Sequence, residues 1–322
     1  MKSTLKDGTA KTLIKNTRMQ WSALPEKVRH AIEAIMGSPV SVSFSQPGGY
    51  SPGTADRIVT ESGSRFFVKA VGSPVNSDSP DIHRKEIRIM ESIKERQLGS
   101  GLIGSYDDGE WVALVFKDID GQHPDFTSKI DRDLVMEALA LLTENPLSSK
   151  AIKLLPSLPE DVRYAFEAWG RIAVDPISDL DPWVMDHFEI LSSLSSGAAD
   201  ILRGEFLVHT DLRKDNILIS EGKAMIVDWP WAAAGAPWFD VLTVTIDAGV
   251  YNDSFNLNQE IDENPLLSSV DPAEINAVIS GMMGYFFDSA RKPTPAGIVS
   301  LRDFQKDEGM TCLRILRERL DP

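Results

Sequence analysis

The chain has 322 residues, a formal net charge of −15 and a pI near 4.8, a balance that excludes a nucleic acid partner, because phosphate backbones are bound by clustered Lys and Arg. Hydrophobic residues make up 42% and charged residues 25%, the mix of a folded globular chain long enough for two modest domains; a single cysteine, Cys312, excludes an internal disulfide framework and a thiolate zinc site. No run of about 18 apolar residues is present to span a bilayer, so no membrane partner is expected and the cytoplasm is the expected compartment.

Residues 1–19 are polar and weakly patterned and read as a loosely ordered arm before a helix over 25–36. From Val40 the pattern changes to three runs rich in β-branched and aromatic residues, over 40–45, 55–61 and 65–71, separated by Gly and Ser, which predict successive antiparallel strands. After Pro80, residues 83–97 carry Ile87, Met90 and Ile93 at helical spacing. Two short strands follow over 102–105 and 111–116, and the polar stretch 118–125 is a candidate hinge. Beyond it the chain reads as helical over 131–144, 159–173 and 182–202, interrupted by strands over 206–208, 216–220 and 224–228 with a turn at Glu221-Gly222-Lys223, and helical again to the end. The expected class is α+β. An arm and helix (1–39) precede a small antiparallel-sheet lobe (40–117) and a larger, mainly helical lobe (118–322).

The segment richest in chemistry is His209-Thr-Asp-Leu-Arg-Lys-Asp-Asn216, followed by an apolar strand, a tight turn and Met225-Ile-Val-Asp228. Phosphoryl transfer needs a carboxylate to take the acceptor hydroxyl proton, oxygen ligands for magnesium, and cations against the phosphates. Asp211 and Asn216 stand five residues apart, and the hairpin brings Asp228 back over both, which is the spacing of a kinase catalytic loop followed by its metal-binding aspartate.

These residues resemble the aminoglycoside phosphotransferase family, whose loop has the form His-x-Asp with Asn five residues after the Asp. The likeness extends through Asp228-Trp-Pro-Trp-Ala232 and Ala236-Pro-Trp-Phe-Asp240, and in lobe order from Val40 to the C-terminus. It implies a bilobal protein-kinase-like fold with the small sheet lobe binding the nucleotide. It assigns Asp211 as the catalytic base or the carboxylate that orients the acceptor, and Asn216 and Asp228 as holders of Mg2+, with His209 bracing the loop and Arg213 placed to meet the transferred phosphoryl group. One departure is Pro230, where many kinase-like sequences have glycine.

In the small lobe, Phe66-Phe67-Val68-Lys69-Ala70 resembles the strand whose lysine pairs with the α and β phosphates, with Glu86 as its expected partner and Glu91 as the alternative. Gln46-Pro-Gly-Gly-Tyr-Ser-Pro-Gly-Thr54 is a candidate phosphate-covering loop, with Gly49 and Ser51 as contacts. Asp240 reads as a turn-satisfying carboxylate, and Asp247, Asp253, Glu260, Asp262 and Glu263 as a solvated acidic face. At least two of Trp229, Trp231 and Trp238 read as core, and His83, His123 and His187 as surface or capped residues without metal spacing.

The implied donor is ATP or GTP with Mg2+, and the implied acceptor a small-molecule hydroxyl. The family's acceptors include aminoglycosides and other antibiotics, which brings antibiotic resistance as one expected role. Amino sugars and amino alcohols make a metabolite kinase the alternative, and a nucleotide-binding pseudoenzyme a third reading. Only eleven residues lie between Asp228 and Asp240, with no Ala-Pro-Glu motif, which disfavours a protein kinase.

Overall fold

The computed structural model describes residues 18–46, 52–96, 100–252, 255–295 and 298–321. Its first lobe is built on β1 (Val40–Ser45), β2 (Thr54–Thr60), β3 (Arg65–Gly72), β4 (Leu102–Asp107) and β5 (Trp111–Lys117), close to the predicted runs. All neighbours are antiparallel, in the order β1-β2-β3-β5-β4. β5 is buried along its length except at Lys117, because both faces of the sheet are covered. On one face α1 (Glu26–Met36) lays Val28, Ile32 and Met36, with Trp21 and Leu24, onto Val68, Ala113 and Val115. On the other, α2 (Ser79–Ile93) sets Ile89, Met90 and Ile93 against Val112, Leu114 and Phe116. α1 is therefore a layer of the small lobe. α2 begins four residues before its predicted start: Pro80 lies in its first turn, where a missing N–H costs nothing, and the Asn76 side chain accepts the Ser79 N–H at 2.9 Å.

Residues 118–122 join the lobes, and both ends are clamped. Asp118 takes a two-pronged pair from Arg57 (2.8 and 2.8 Å) and a third bond from Arg65 (2.9 Å). Gln122 exchanges backbone hydrogen bonds with Ile219 at 3.1 and 2.7 Å. Gly121 permits this approach, since a Cβ there would stand 2.8 Å from the Ile219 carbonyl oxygen.

The second lobe holds α3 (Lys129–Thr143), α4 (Ser149–Leu154), α5 (Leu158–Phe166), α6 (Ala168–Val174), α7 (Pro182–Asp186), α8 (Phe188–Ser195), α9 (Ala198–Ile201), α10 (Trp238–Tyr251), α11 (Leu257–Asp262), α12 (Pro272–Ala290) and α13 (Leu301–Leu320). The single helices predicted over 159–173 and 182–202 are each broken into shorter segments, of which α5, α6, α8 and α9 all pack on α12. Gly197, at φ 80°, makes the last of these breaks. Gly281 and Gly284 let the neighbours close in, because a Cβ there would lie 2.6 Å from Phe166 and 2.7 Å from Trp169, whose indole N–H donates to the Ser280 carbonyl at 2.9 Å. Cys312 is buried and free, as a small apolar residue of this core.

Two small hairpin-like sheets carry the predicted motif. β6 (Phe206–Val208) pairs with β9 (Ala233–Gly235), and β7 (Ile217–Ser220) with β8 (Lys223–Ile226). The β7–β8 turn places Glu221 and Gly222 at φ 51° and 72°, a two-residue geometry that matches strand twist. β8 stops two residues short of Asp228, which itself sits at φ 68° and cannot continue a strand.

Candidate active site

The two lobes meet at Lys69, Glu86 and Asp228. The β3 register sets Lys69 opposite Ala55 and Leu114, on the sheet face that α2 covers. Its ammonium donates to both Glu86 oxygens (2.8 and 2.9 Å) and to Asp228 Oδ1 (2.6 Å). Of the two candidate partners the geometry selects Glu86, whereas Glu91 is exposed. Burial works against the Lys69 cation, but the Asp228 and Glu86 carboxylates outweigh it and hold its pKa above the ordinary value. Burial likewise works against the Asp228 anion, and Lys69 overcomes it, bringing Asp228 down to about 2. Glu86 is raised, because burial outweighs the help it receives from Lys69 and from the Trp229 N–H. The amide used beside Asp228 is therefore that of Trp229, and Pro230 withholds none that this cluster draws on.

The loop 209–216 is held from behind. Buried Asp240, at the start of α10, accepts the backbone N–H groups of His209 (2.7 Å) and Thr210 (2.9 Å), which supports Thr210 at φ 70°. The turn-satisfying reading of Asp240 thus holds, and the turn it satisfies is the one that presents Asp211. His209 is fully buried; its Nε2 meets the Val227 carbonyl at 3.0 Å and its ring packs edge-on against Trp229 at 4.7 Å. Asn216 and Asp228 are tied together because the Val227 N–H donates to the Asn216 carbonyl at 2.9 Å. The Asn216 side-chain nitrogen donates to the Asp211 carbonyl at 2.8 Å, which leaves the amide oxygen for another partner.

Asp211 keeps 37% of its side chain exposed, and its Oδ1 lies 3.3 Å from Arg213 Nε. Burial of part of the carboxyl pushes it up to about 6, opposed by Arg213. Arg213 also meets Asp215 at 3.4 Å and stacks over Phe304 at 5.1 Å, so it is braced beside the loop. Two non-glycine residues at positive φ, Thr210 and Asp228, flank this cluster, each a strain of roughly 1–3 kcal/mol that surrounding contacts sustain.

The donor chemistry fits magnesium: one carboxylate and one amide oxygen, with the remaining positions left to water and phosphates, as Mg2+ prefers over an all-protein cage. Among the described residues there is no group of three or more His, Cys, Asp or Glu able to bind a metal. Gly49 and Ser51 lie outside the described residues.

Several groups were not anticipated. His83, expected as a surface or capped residue, is buried one turn before Glu86, with neither ring nitrogen hydrogen-bonded among the described residues; burial and Lys69 push it down to about 3, so it is neutral. The period-3.6 pattern of α2 includes position 83, which is the signal that would have placed it inside. Asp247, expected on a solvated acidic face, is buried on α10, accepts the Lys214 N–H at 2.6 Å and pairs with buried Glu308 of α13. Burial raises both carboxyls, Asp247 to about 6. Glu260, Asp262 and Glu263 are exposed as expected, and Asp253 lies outside the described residues. Trp229 is core, Trp238 packs partly buried against it, and Trp231 is 43% exposed beside Thr210, whose hydroxyl donates to its carbonyl at 2.9 Å. Among the described residues no helix is long and apolar enough to cross a membrane.

No family model and no curated protein matches the sequence. Solved structures match the fold over nearly the whole chain. An aminoglycoside phosphotransferase from Alicyclobacillus acidocaldarius is 12% identical, with 94% of this chain and 98% of that chain covered and a TM-score of 0.57. A choline kinase from Streptococcus pneumoniae is 14% identical, with 91% and 98% covered and a TM-score of 0.57. A choline/ethanolamine kinase family protein from Mesorhizobium loti is 14% identical, with 90% and 94% covered and a TM-score of 0.62. With the Lys69, Glu86 and Asp228 cluster joining a five-stranded lobe to a helical one, these likenesses establish that the chain has the bilobal protein-kinase-like fold found in small-molecule kinases.

Proposed function

We propose that the protein transfers the γ-phosphoryl group of ATP or GTP to a hydroxyl of a small molecule. The observation that carries this reading is the Lys69 ammonium held between Glu86 and Asp228, with Asp211 presented by the adjoining loop. In this reading Lys69 leaves Asp228 to bind the α and β phosphates and stays oriented by Glu86. Asn216 and Asp228 would hold Mg2+, which when bound would neutralise charge on the nucleotide phosphates. Asp211 accepts the acceptor's proton as its oxygen bonds to phosphorus and the bond from the γ-phosphorus to the β–γ bridging oxygen breaks. A carboxyl with a pKa of about 6 is ionised at neutral pH and remains a competent base.

Beyond Asp211, Tyr285 of α12 lies within electrostatic reach of its carboxylate, and Phe304 of α13 backs Arg213. We assign the acceptor to this side. Structures of the same fold include a complex with ADP and hygromycin B, a spectinomycin phosphotransferase and choline kinase, which supports a hydroxyl-bearing, amine-bearing acceptor, whether antibiotic or metabolite. The presence of Lys69, Asp211, Asn216 and Asp228 together argues against a pseudoenzyme.

The test is nucleoside diphosphate release from Mg–ATP and Mg–GTP across a panel of aminoglycosides, spectinomycin, amino sugars and amino alcohols, with Asp211→Ala as control. Acceptor-dependent release that falls at least about 100-fold in the variant is expected. Release unchanged in Asp211→Ala would remove Asp211 from the base role.

A further inference from the structure

Helix α10 turns a second carboxylate toward the loop that presents Asp211. Asp247 follows Asp240 by seven residues, two helical turns, so both side chains leave the helix on one face, about 10 Å apart along its axis. Asp240 takes the His209 and Thr210 N–H groups at one end of the loop, and Asp247 Oδ2 takes the Lys214 N–H at 2.6 Å near the other. Asp247 is 1% exposed and sits against Glu308 of α13, so it is out of reach of a substrate. Its contact with the site runs through the backbone.

The peptide that Asp247 holds joins two residues of the site. Its N–H, from Lys214, goes to Asp247, and its carbonyl, from Arg213, accepts the Asn216 N–H at 3.0 Å, so the peptide is gripped at both poles. Arg213 Nε lies 3.3 Å from Asp211 Oδ1, and the Asn216 side-chain nitrogen donates to the Asp211 carbonyl at 2.8 Å. Rotation of this one peptide would therefore move both neighbours of Asp211. The turn over 214–216 has only three residues and little hydrogen bonding of its own to resist that rotation. A short bond from a backbone N–H to a carboxylate is stronger than a neutral one and is directional. Resting on the phosphotransferase reading, we propose that Asp247 is a positioning residue for phosphoryl transfer: it sets the Arg213–Lys214 peptide and, through Arg213 and Asn216, the aim of Asp211.

Asp247→Leu and Asp247→Asn in the full chain test this. Leu keeps the volume and removes the acceptor. Asn keeps an oxygen for the Lys214 N–H, and its amide nitrogen can donate to Glu308, whose Oε1 has no hydrogen-bond partner among the described residues. In Asp247→Leu, kcat for diphosphate release from Mg–ATP with an amino sugar or aminoglycoside acceptor should fall at least about tenfold. Isothermal titration should find the Mg–AMP-PNP affinity within about threefold, because Lys69 and Asp228 do not hang from this peptide. Asp247→Asn should restore kcat to within about threefold of the unmodified protein. Hydrogen–deuterium exchange over 209–216, which needs no acceptor, should quicken in Asp247→Leu and not in Asp247→Asn. Equal losses of kcat in the two variants overturn the proposal, since charge rather than the hydrogen bond would then be at work. So does faster exchange throughout the large lobe with AMP-PNP binding lost, the mark of a disturbed fold. Unchanged exchange over 209–216 or unchanged kcat in Asp247→Leu overturns this inference alone, whereas an unmodified protein that neither binds Mg–AMP-PNP nor releases diphosphate overturns the phosphotransferase reading and this inference with it.

Discussion

Replacing Arg213 by Gln isolates the electrostatics of Asp211. The Arg213 Nε stands 3.3 Å from Asp211 Oδ1, and with 37% of the Asp211 side chain exposed but only 11% of Arg213, full solvent screening sets the lower bound of their attraction. At water's dielectric constant, unit charges 3.3 Å apart attract by about 1.3 kcal/mol, equivalent to about 0.9 in pKa. Loss of the guanidinium also releases Asp215, 3.4 Å from Arg213, whose charge pushes Asp211 the same way. A base works when deprotonated, so activity should rise with pH through about 6 in the unmodified protein, and that limb should move to about 7 in Arg213→Gln. The profile of diphosphate release from Mg–ATP between about pH 5 and 9 reads it. So does a 13C titration of aspartate carboxyl carbons, assigned by difference against Asp211→Asn, which needs no acceptor. A limb and a carboxyl titration that stay in place, or move to lower pH, refute the coupling.

Asp240→Asn sets an amide nitrogen against one of two backbone donors now held at 2.7 and 2.9 Å. The buried mismatch should cost about 2–3 kcal/mol, lower Tm by roughly 3–4 °C and reduce kcat; an unchanged melt and rate would show that the loop stands without this brace. For the Asp247 and Glu308 pair the sign follows from their raised pKa values. The folded chain binds a proton that the unfolded chain gives up near pH 4, so the pair's contribution to stability is present below about 4 and is lost as pH rises through about 6. Glu308→Gln removes one of the two like charges while keeping a hydrogen-bond partner for Asp247, and denaturant melts above pH 7 should show it about 1–3 kcal/mol more stable than the unmodified protein, with the difference vanishing near pH 4. Equal stability at both pH values would separate the pair from the pH dependence.

Much of this molecule is written in local pattern. Three β-branched runs separated by Gly and Ser specified the first three strands, and two short apolar runs after the helix the other two, because side-chain period and turn chemistry act within a few residues. The spacing of Asp211, Asn216 and Asp228 was legible for the same reason: loop and hairpin are contiguous, and their geometry follows from chain connectivity. Lys69 and Glu86 were also readable, since one helix face must meet one strand face. What the sequence left open depends on contacts between distant segments. Glu86 rather than Glu91 was decided by which face of α2 lies against the sheet. Asp247 and Glu308 are sixty-one positions apart, and only the packing of α10 on α13 buries them together, so an acidic residue that reads as solvated became half of a buried carboxyl pair. The helices over 159–173 and 182–202 are broken into segments that pack on α12, a helix about a hundred positions further along the chain, beyond the reach of local pattern. Trp21 and Leu24 belong to a stretch with no periodicity, and only the assembled sheet and α1 bury them. Sequence pattern encodes elements and contiguous motifs, whereas the burial and pairing of charges are set by the three-dimensional neighbours that tertiary packing brings together.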